Sequence, residues 1–104
     1  MSSTALLNQL PSVFNKGASG SLRCIIQFVT HEATYVTIDG EQCTVTIGTA
    51  PTADLVVTIS DQNLTELLKG KLNPAMGLML RKLKADGDLD LGMRLTSLFN
   101  FSKL

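Results

Sequence analysis

Between residues 21 and 59 most of the apolar side chains fall at every second position, whereas on either side of that block they recur every third or fourth. A period of two turns one face of a strand inward, and a period near 3.6 does the same for a helix. Strands in the middle and helices at both ends are therefore the consistent assignment. Leu22, Cys24, Ile26 and Phe28 alternate with Arg23 and Gln27, and Val36 and Ile38 alternate with Tyr35 and Thr37. Cys43, Val45 and Ile47 alternate with Thr44 and Thr46, and Leu55, Val57 and Ile59 supply a fourth strand. Thr30-His31-Glu32, Asp39-Gly40 and residues 48–52 carry the turn chemistry between them. Four short strands at hairpin spacing predict an antiparallel meander with one covered face.

The flanking helical segments carry their own boundaries. Leu6, Leu7, Leu10, Val13 and Phe14 are spaced for a helix, but Pro11 lacks an amide proton and disfavours the α region at Leu10. Either a kinked helix or two short helices follows, the second opened by Pro11, and Gly17-Ala-Ser-Gly20 ends it. After the strands, Ser60 or Asp61 can cap a helix through Leu64, Leu67 and Leu68, with Gly70 as its left-handed stop. Asn73-Pro74 starts another helix, bearing Met76, Leu78, Met79 and Leu80. Leu83-Lys84-Ala85 fits a fifth strand broken by Gly87, and Asp88 can cap a last helix through Leu89, Leu91, Met93, Leu95, Leu98 and Phe99. Asp90 and Arg94 are spaced there as an i,i+4 ion pair.

Composition removes several functions. A chain of 104 residues fits one domain, 1–104, without a separate catalytic module. Nine basic and nine acidic residues cancel, and one Tyr, four Phe and no Trp give few stacking platforms, so nucleic acid is not an expected partner. Cys24 and Cys43 stand apart on predicted strands, which favours two reduced core thiols over a disulfide. No apolar run reaches the length of a membrane span and no signal-peptide pattern opens the chain, so an intracellular protein is expected.

Candidates for catalysis are sparse. His31 is the one histidine and falls in a predicted turn beside Glu32, where it reads as solvent-facing and offers little to a nucleophilic triad. Asp86, Asp88 and Asp90 lack the glycine position and terminal Glu of a calcium loop and read as helix-cap charges. Gly17-Ala-Ser-Gly20 is not followed by the Lys-Ser/Thr of a phosphate loop. Neither a catalytic residue nor a metal or other cofactor is expected.

Hydrophobic residues reach 44% against 17% charged, and much of the excess lies in the second half with Met76, Met79 and Met93. Methionine is flexible and polarisable, so a Met-bearing helix pair beside a small sheet either fills gaps or stays open around an apolar ligand. Burying a sixteen-carbon tail gains about 12 kcal/mol at roughly 0.8 kcal/mol per methylene, against an association cost of roughly 4–15 kcal/mol. Lys69, Lys71, Arg81, Lys82 and Lys84 form a basic cluster that fits solvated faces or contact with phosphate, of a bilayer or of an acyl-coenzyme A.

Four stretches carry a family resemblance: Ala53-Asp-Leu-Val-Val-Thr-Ile59, Leu68-Lys-Gly-Lys-Leu-Asn-Pro-Ala-Met76, Lys82-Leu-Lys-Ala-Asp-Gly-Asp88 and Leu91-Gly-Met-Arg-Leu-Thr-Ser-Leu-Phe99. Over residues 53–99 the chain closely resembles the sterol carrier protein-2 domain family, while residues 1–52 match by pattern alone. The resemblance implies an α+β fold, with a five-stranded, mainly antiparallel sheet covered by helices around a hydrophobic tunnel. It also implies non-enzymatic binding and transfer of a lipid ligand: a sterol, fatty acid, fatty acyl-coenzyme A or phospholipid. By that analogy Met76, Met79, Leu80, Met93, Leu95, Leu98 and Phe99 line the tunnel, with Phe14, Phe28, Val36 and Ile38 from the first half, and the last helix gates it. Arg81 departs from the pattern, standing where many members carry glycine, and the amino end is compact.

Ser102-Lys103-Leu104 reads as a peroxisomal address for an import receptor, which would make the protein peroxisomal, and cytoplasmic if the tripeptide is coincidental. Transient contact with a membrane surface is also expected. The rival expectations are a module presenting lipid or acyl-coenzyme A to a partner enzyme, an enzyme turning over a bound thioester, and a structural domain with a filled core.

Overall fold

The alternating block forms β1 (Arg23–Val29), β2 (Ala33–Asp39) and β3 (Gln42–Ile47). The computed structural model describes residues 3–15, 17, 20 and 22–100. It pairs the three strands antiparallel, with Cys24 opposite Ile38 and Ile38 opposite Cys43. Gly40 has φ 62°, a left-handed conformation that glycine adopts without steric penalty, which is why Asp39-Gly40 marks this turn. The exposed side chains of Arg23 and Asp39 meet across the first pair at 2.9 Å.

The expected four-strand meander ends at β3. The next strand, β4 (Leu55–Ile59), runs parallel to β1, with Ile26 opposite Leu55 and Phe28 opposite Val57. β5 (Leu83–Gly87) then adds to β4 antiparallel, giving the order β3-β2-β1-β4-β5. The sheet is five-stranded and mixed, with β1–β4 its parallel junction among antiparallel pairs. The physical reason for the correction is a buried amide. Gln27 Nε2 donates to the carbonyls of Thr34 (3.2 Å) and Gly48 (3.1 Å), and its Oε1 accepts from the Ala50 N–H (2.7 Å). Residues 48–54 are thereby drawn across β1, where the Asp54 N–H donates to the Ile25 carbonyl (2.9 Å) and the Asp54 carboxylate accepts from the Ile25 N–H (2.8 Å). A buried amide needs such partners on both its ends, and the crossover supplies them.

Helices cover the other face. α1 (Ser3–Leu7) is followed by a 3-10 turn (Leu10–Val13) with Pro11 in its first positions, the second of the two arrangements expected there. α2 (Asp61–Leu68) is capped by Ser60, whose Oγ accepts from the Asn63 N–H at 3.1 Å. α3 (Pro74–Met79) is capped by Asn73, whose Oδ1 accepts from the Ala75 N–H at 2.8 Å. The run expected as one last helix divides into α4 (Leu89–Met93), capped by Asp88, and α5 (Leu95–Leu98). Arg94, at the break, donates its N–H to the Asp90 carbonyl, and no ion pair joins these two side chains among the described residues.

The core lies between α1, the 3-10 turn, α2, α4 and α5 on one side and the inward rows of the sheet on the other. Leu6, Leu7, Leu10, Leu64 and Leu98 meet Ile26, Phe28, Val36, Ile38 and Leu55 there, all buried. The chain ends are clasped: Phe14 bridges Phe99, the Asn15 N–H donates to Leu98 (2.7 Å) and the Asn100 N–H to Val13 (2.9 Å). Cys24 and Cys43 are both free thiols. They flank Ile38 on alternate strands, about 10 Å apart at two strand spacings, beyond the roughly 7 Å that a disulfide spans between Cα atoms. Burial pushes the Cys24 thiol up to about 11, helped by the negative charge of Asp54, and burial does the same for Cys43. Ser102, Lys103 and Leu104 lie outside the described residues, as do Ala18, Ser19 and the side chain of Leu95.

Candidate functional site

Where α3 and α4 approach the β4–β5 edge of the sheet, the packing leaves a gap of about 30 Å³. Strand alternation supplies its floor: Leu55 and Val57 from β4, Leu83 and Ala85 from β5. Leu67 of α2 and Leu78 of α3 form its wall, and Leu89, Gly92 and Met93 of α4 its rim. No polar side chain lines it. Such a space has the volume of roughly one or two water molecules yet offers them no hydrogen bond, so it stays dry.

Both roof helices sit on the sheet through a glycine. A Cβ on Gly77 would stand 3.0 Å from Leu83 Cδ2, and one on Gly92 would stand 3.3 Å from Leu55 Cδ2. The missing side chains let α3 and α4 settle close while adding no buried area of their own at these two points. α4 is held in addition by Leu91, buried in the core, so less apolar area is lost from contact if α3 lifts than if α4 does.

The residues that the resemblance pointed to are distributed rather than gathered. Met93 lies at the gap's rim. Phe28, Val36, Ile38, Leu98 and Phe99 are buried in the core, and Phe14 is half-buried with its ring 5.5 Å from that of Phe99. Met76, Met79 and Leu80 point outward, 48%, 74% and 55% exposed. The β4–β5 floor was not among the expected lining residues. Its signal is present as Leu55/Val57 and Leu83/Ala85, two period-two pairs, but period alone does not say which strands adjoin.

The charged groups stand outside the gap. Arg81, Lys84 and Asp86 share a shallow depression along the β5 edge with Leu78, Leu83 and Ala85. His31 is exposed in the β1–β2 turn, its Nδ1 3.6 Å from the Asp61 carboxylate. Among the described residues no His, Cys, Asp and Glu cluster could hold a metal ion, and no helix is long and apolar enough to cross a membrane.

A one-sided mixed sheet under short capped helices, with its recess made wholly of hydrocarbon and thioether, defines an α+β domain with an apolar recess. The model of the SCP-2 sterol transfer family matches residues 7–100, and the chain belongs to that family. Sterol carrier protein 2 of Oryctolagus cuniculus is 41% identical over 46 residues, covering 44% of this chain. This chain spans 8% of that relative's length. Among solved structures, a double mutant of the sec-alkyl sulfatase PisA1, an enzyme of Pseudomonas sp., superposes with a TM-score of 0.84 at 17% identity, over 92% of this chain and 16% of that one. Palmitated SCP2L2 of Aedes aegypti superposes with a TM-score of 0.68 at 19% identity, over 93% of each chain. At these identities the two structures speak for the fold.

Proposed function

We propose that the protein binds and carries an apolar lipid tail in the gap between β4–β5 and α3–α4, without chemical turnover. The observation that carries this reading is the wholly apolar lining of a gap roofed by two short, glycine-seated helices. As it stands the gap is roughly a tenth of the ~300 Å³ at which ligand pockets begin. A fatty acid, sterol or acyl-coenzyme A tail therefore enters by lifting α3 and α4 off the sheet. The gate is α3 with α4, the first part of the run expected as one last helix, and not its second part, since α5 leads directly into the clasp of the buried Leu98 and Phe99 with Phe14 and Asn15. Selection is by length and bulk, because no polar group in the gap reads a headgroup. The palmitated relative among the structural neighbours agrees with a tail of this kind.

Titration with a fluorescent fatty acid, with unlabelled lipids as competitors, tests the reading. Saturable, displaceable binding is expected in the wild type and its loss in Ala85→Phe, which places a ring in the gap. Replacing His31 by Ala is expected to leave binding unchanged. No displaceable binding by the wild type would reject the reading.

A second reading has one observation in its favour: in the sulfatase neighbour this fold forms a small part of a large enzyme chain. A domain that presents lipid to a partner enzyme would stimulate that enzyme while moving lipid poorly between vesicles.

A further inference from the structure

Resting on the lipid-carrying reading of the gap, we propose that α3 and residues 80–82 form the surface by which the protein docks on an anionic lipid bilayer. Among the described residues six large apolar side chains are exposed, and five of them, Met76, Met79, Leu80, Leu89 and Met93, belong to α3, its C-cap or α4. Leu89 and Met93 line the gap, and Met76, Met79 and Leu80 lie on the outer side of α3, which roofs it; Ile47 alone belongs to another element. Met76, Met79 and Leu80 follow i, i+3, i+4 spacing, so they form one stripe, and it faces outward because Gly77 occupies the inward contact. α1 does the opposite, burying Leu6 and Leu7 in the core. An apolar patch of this concentration marks a surface that meets something.

Charge says what that is. The chain holds nine basic and nine acidic residues, yet residues 69–84 hold five of the basic ones, Lys69, Lys71, Arg81, Lys82 and Lys84, and no acidic one. All five are exposed and none forms an ion pair among the described residues. Asp86 shares the β5-edge depression with Arg81 and Lys84, and Glu66 stands one helical turn before Lys69. Arg81 also has φ 59°, and no other described non-glycine residue has a positive φ. A strained backbone carrying a cation beside Leu80 is what a surface under functional demand retains. Apolar residues followed directly by cations, Leu80 by Arg81 and Lys82, match an anionic bilayer, which takes the first into its interface and the second onto its phosphates. A second copy of this chain would set one group of cations against another.

Co-sedimentation of the full chain with phosphatidylcholine vesicles, with and without phosphatidylserine, tests the proposal. Binding is expected to require phosphatidylserine and to weaken with salt. Removing two charges in R81Q/K82Q should weaken it on the order of twentyfold, and Met79→Gln should weaken it severalfold with all charges kept. Arg81→Gly separates strain from function: its denaturation midpoint should rise while its vesicle affinity falls. All these variants should still bind a fluorescent fatty acid in solution, so a failure of the gap reading shows as wild-type protein that binds no fatty acid. Vesicle binding indifferent to phosphatidylserine, or unchanged in R81Q/K82Q, overturns the docking surface. So does a wild-type dimer that Met79→Gln converts to monomer.

Discussion

Gly87 closes β5 at φ 115°, and a Cβ placed on it would run into the carbonyl oxygen of Asp54. That carbonyl already accepts the Asp88 N–H at 2.8 Å, so Asp54 has nowhere to retreat without releasing the start of α4. Gly87→Ala is therefore expected to lose about 2–4 kcal/mol, backbone strain and displacement together. Urea denaturation reads this directly, and a loss below about 0.5 kcal/mol would show that the β5–α4 corner is soft. The thiols make a second expectation at this scale. Cys24 and Cys43 are raised from 9.0 to about 11, chiefly by burial, so the folded protein holds these protons more tightly than the unfolded chain does. Their contribution is constant below pH 9 and declines between pH 9 and 11, where the unfolded state deprotonates first. Stability measured across that window should fall less steeply in a Cys24→Ala/Cys43→Ala variant than in the wild type; parallel curves would contradict it.

At the scale of elements, the roof of the gap depends on what α3 and α4 lack. A methyl group on Gly92 would enter the gap 3.3 Å from Leu55 Cδ2. Gly92→Ala should thus reduce fatty-acid affinity about fivefold, while the better helix propensity of alanine keeps the stability change within about 1 kcal/mol. Equal affinity in the two proteins would move the tail elsewhere. The same contact explains which elements were legible from residue pattern. Strands β1 to β3, the caps Asn73 and Asp88, and the Pro11 break follow from alternation and local chemistry that act within a few residues. The placing of β4 beside β1 does not, because it hangs on Gln27, a polar residue in an alternating strand that reads as solvent-facing until residues 48–54 bury it. Likewise the Met76-Met79-Leu80 stripe is plain in the spacing, but its direction is decided by Gly77 against Leu83. A periodicity defines a face and leaves open whether it turns in or out.

Across the whole molecule, the sheet and the clasped segments are tied by many contacts, and the roof of the gap by few. β1 lies at the centre of the sheet with β2 and β4 on either side, and the clasp of residues 13–15 with 97–100 closes the chain ends over the core. α3 and α4, by contrast, are six and five residues long and face a void on their inner side, with Leu91 of α4 the one core side chain between them. Elements with little buried apolar contact open at lower free energy than the global transition. Hydrogen exchange should accordingly find the amides of α3 and α4 exchanging well before those of β1 and β2. Saturating fatty acid should slow the first set selectively, since a ligand that binds the opened roof and fills the gap stabilises the reclosed state by mass action. At about a hundredfold excess over Kd, that amounts to about 2.7 kcal/mol, or roughly a hundredfold in local exchange rate. Amides of α3 and α4 as protected as those of β1, and unmoved by lipid, would mean that the roof does not lift and that a tail has no way in.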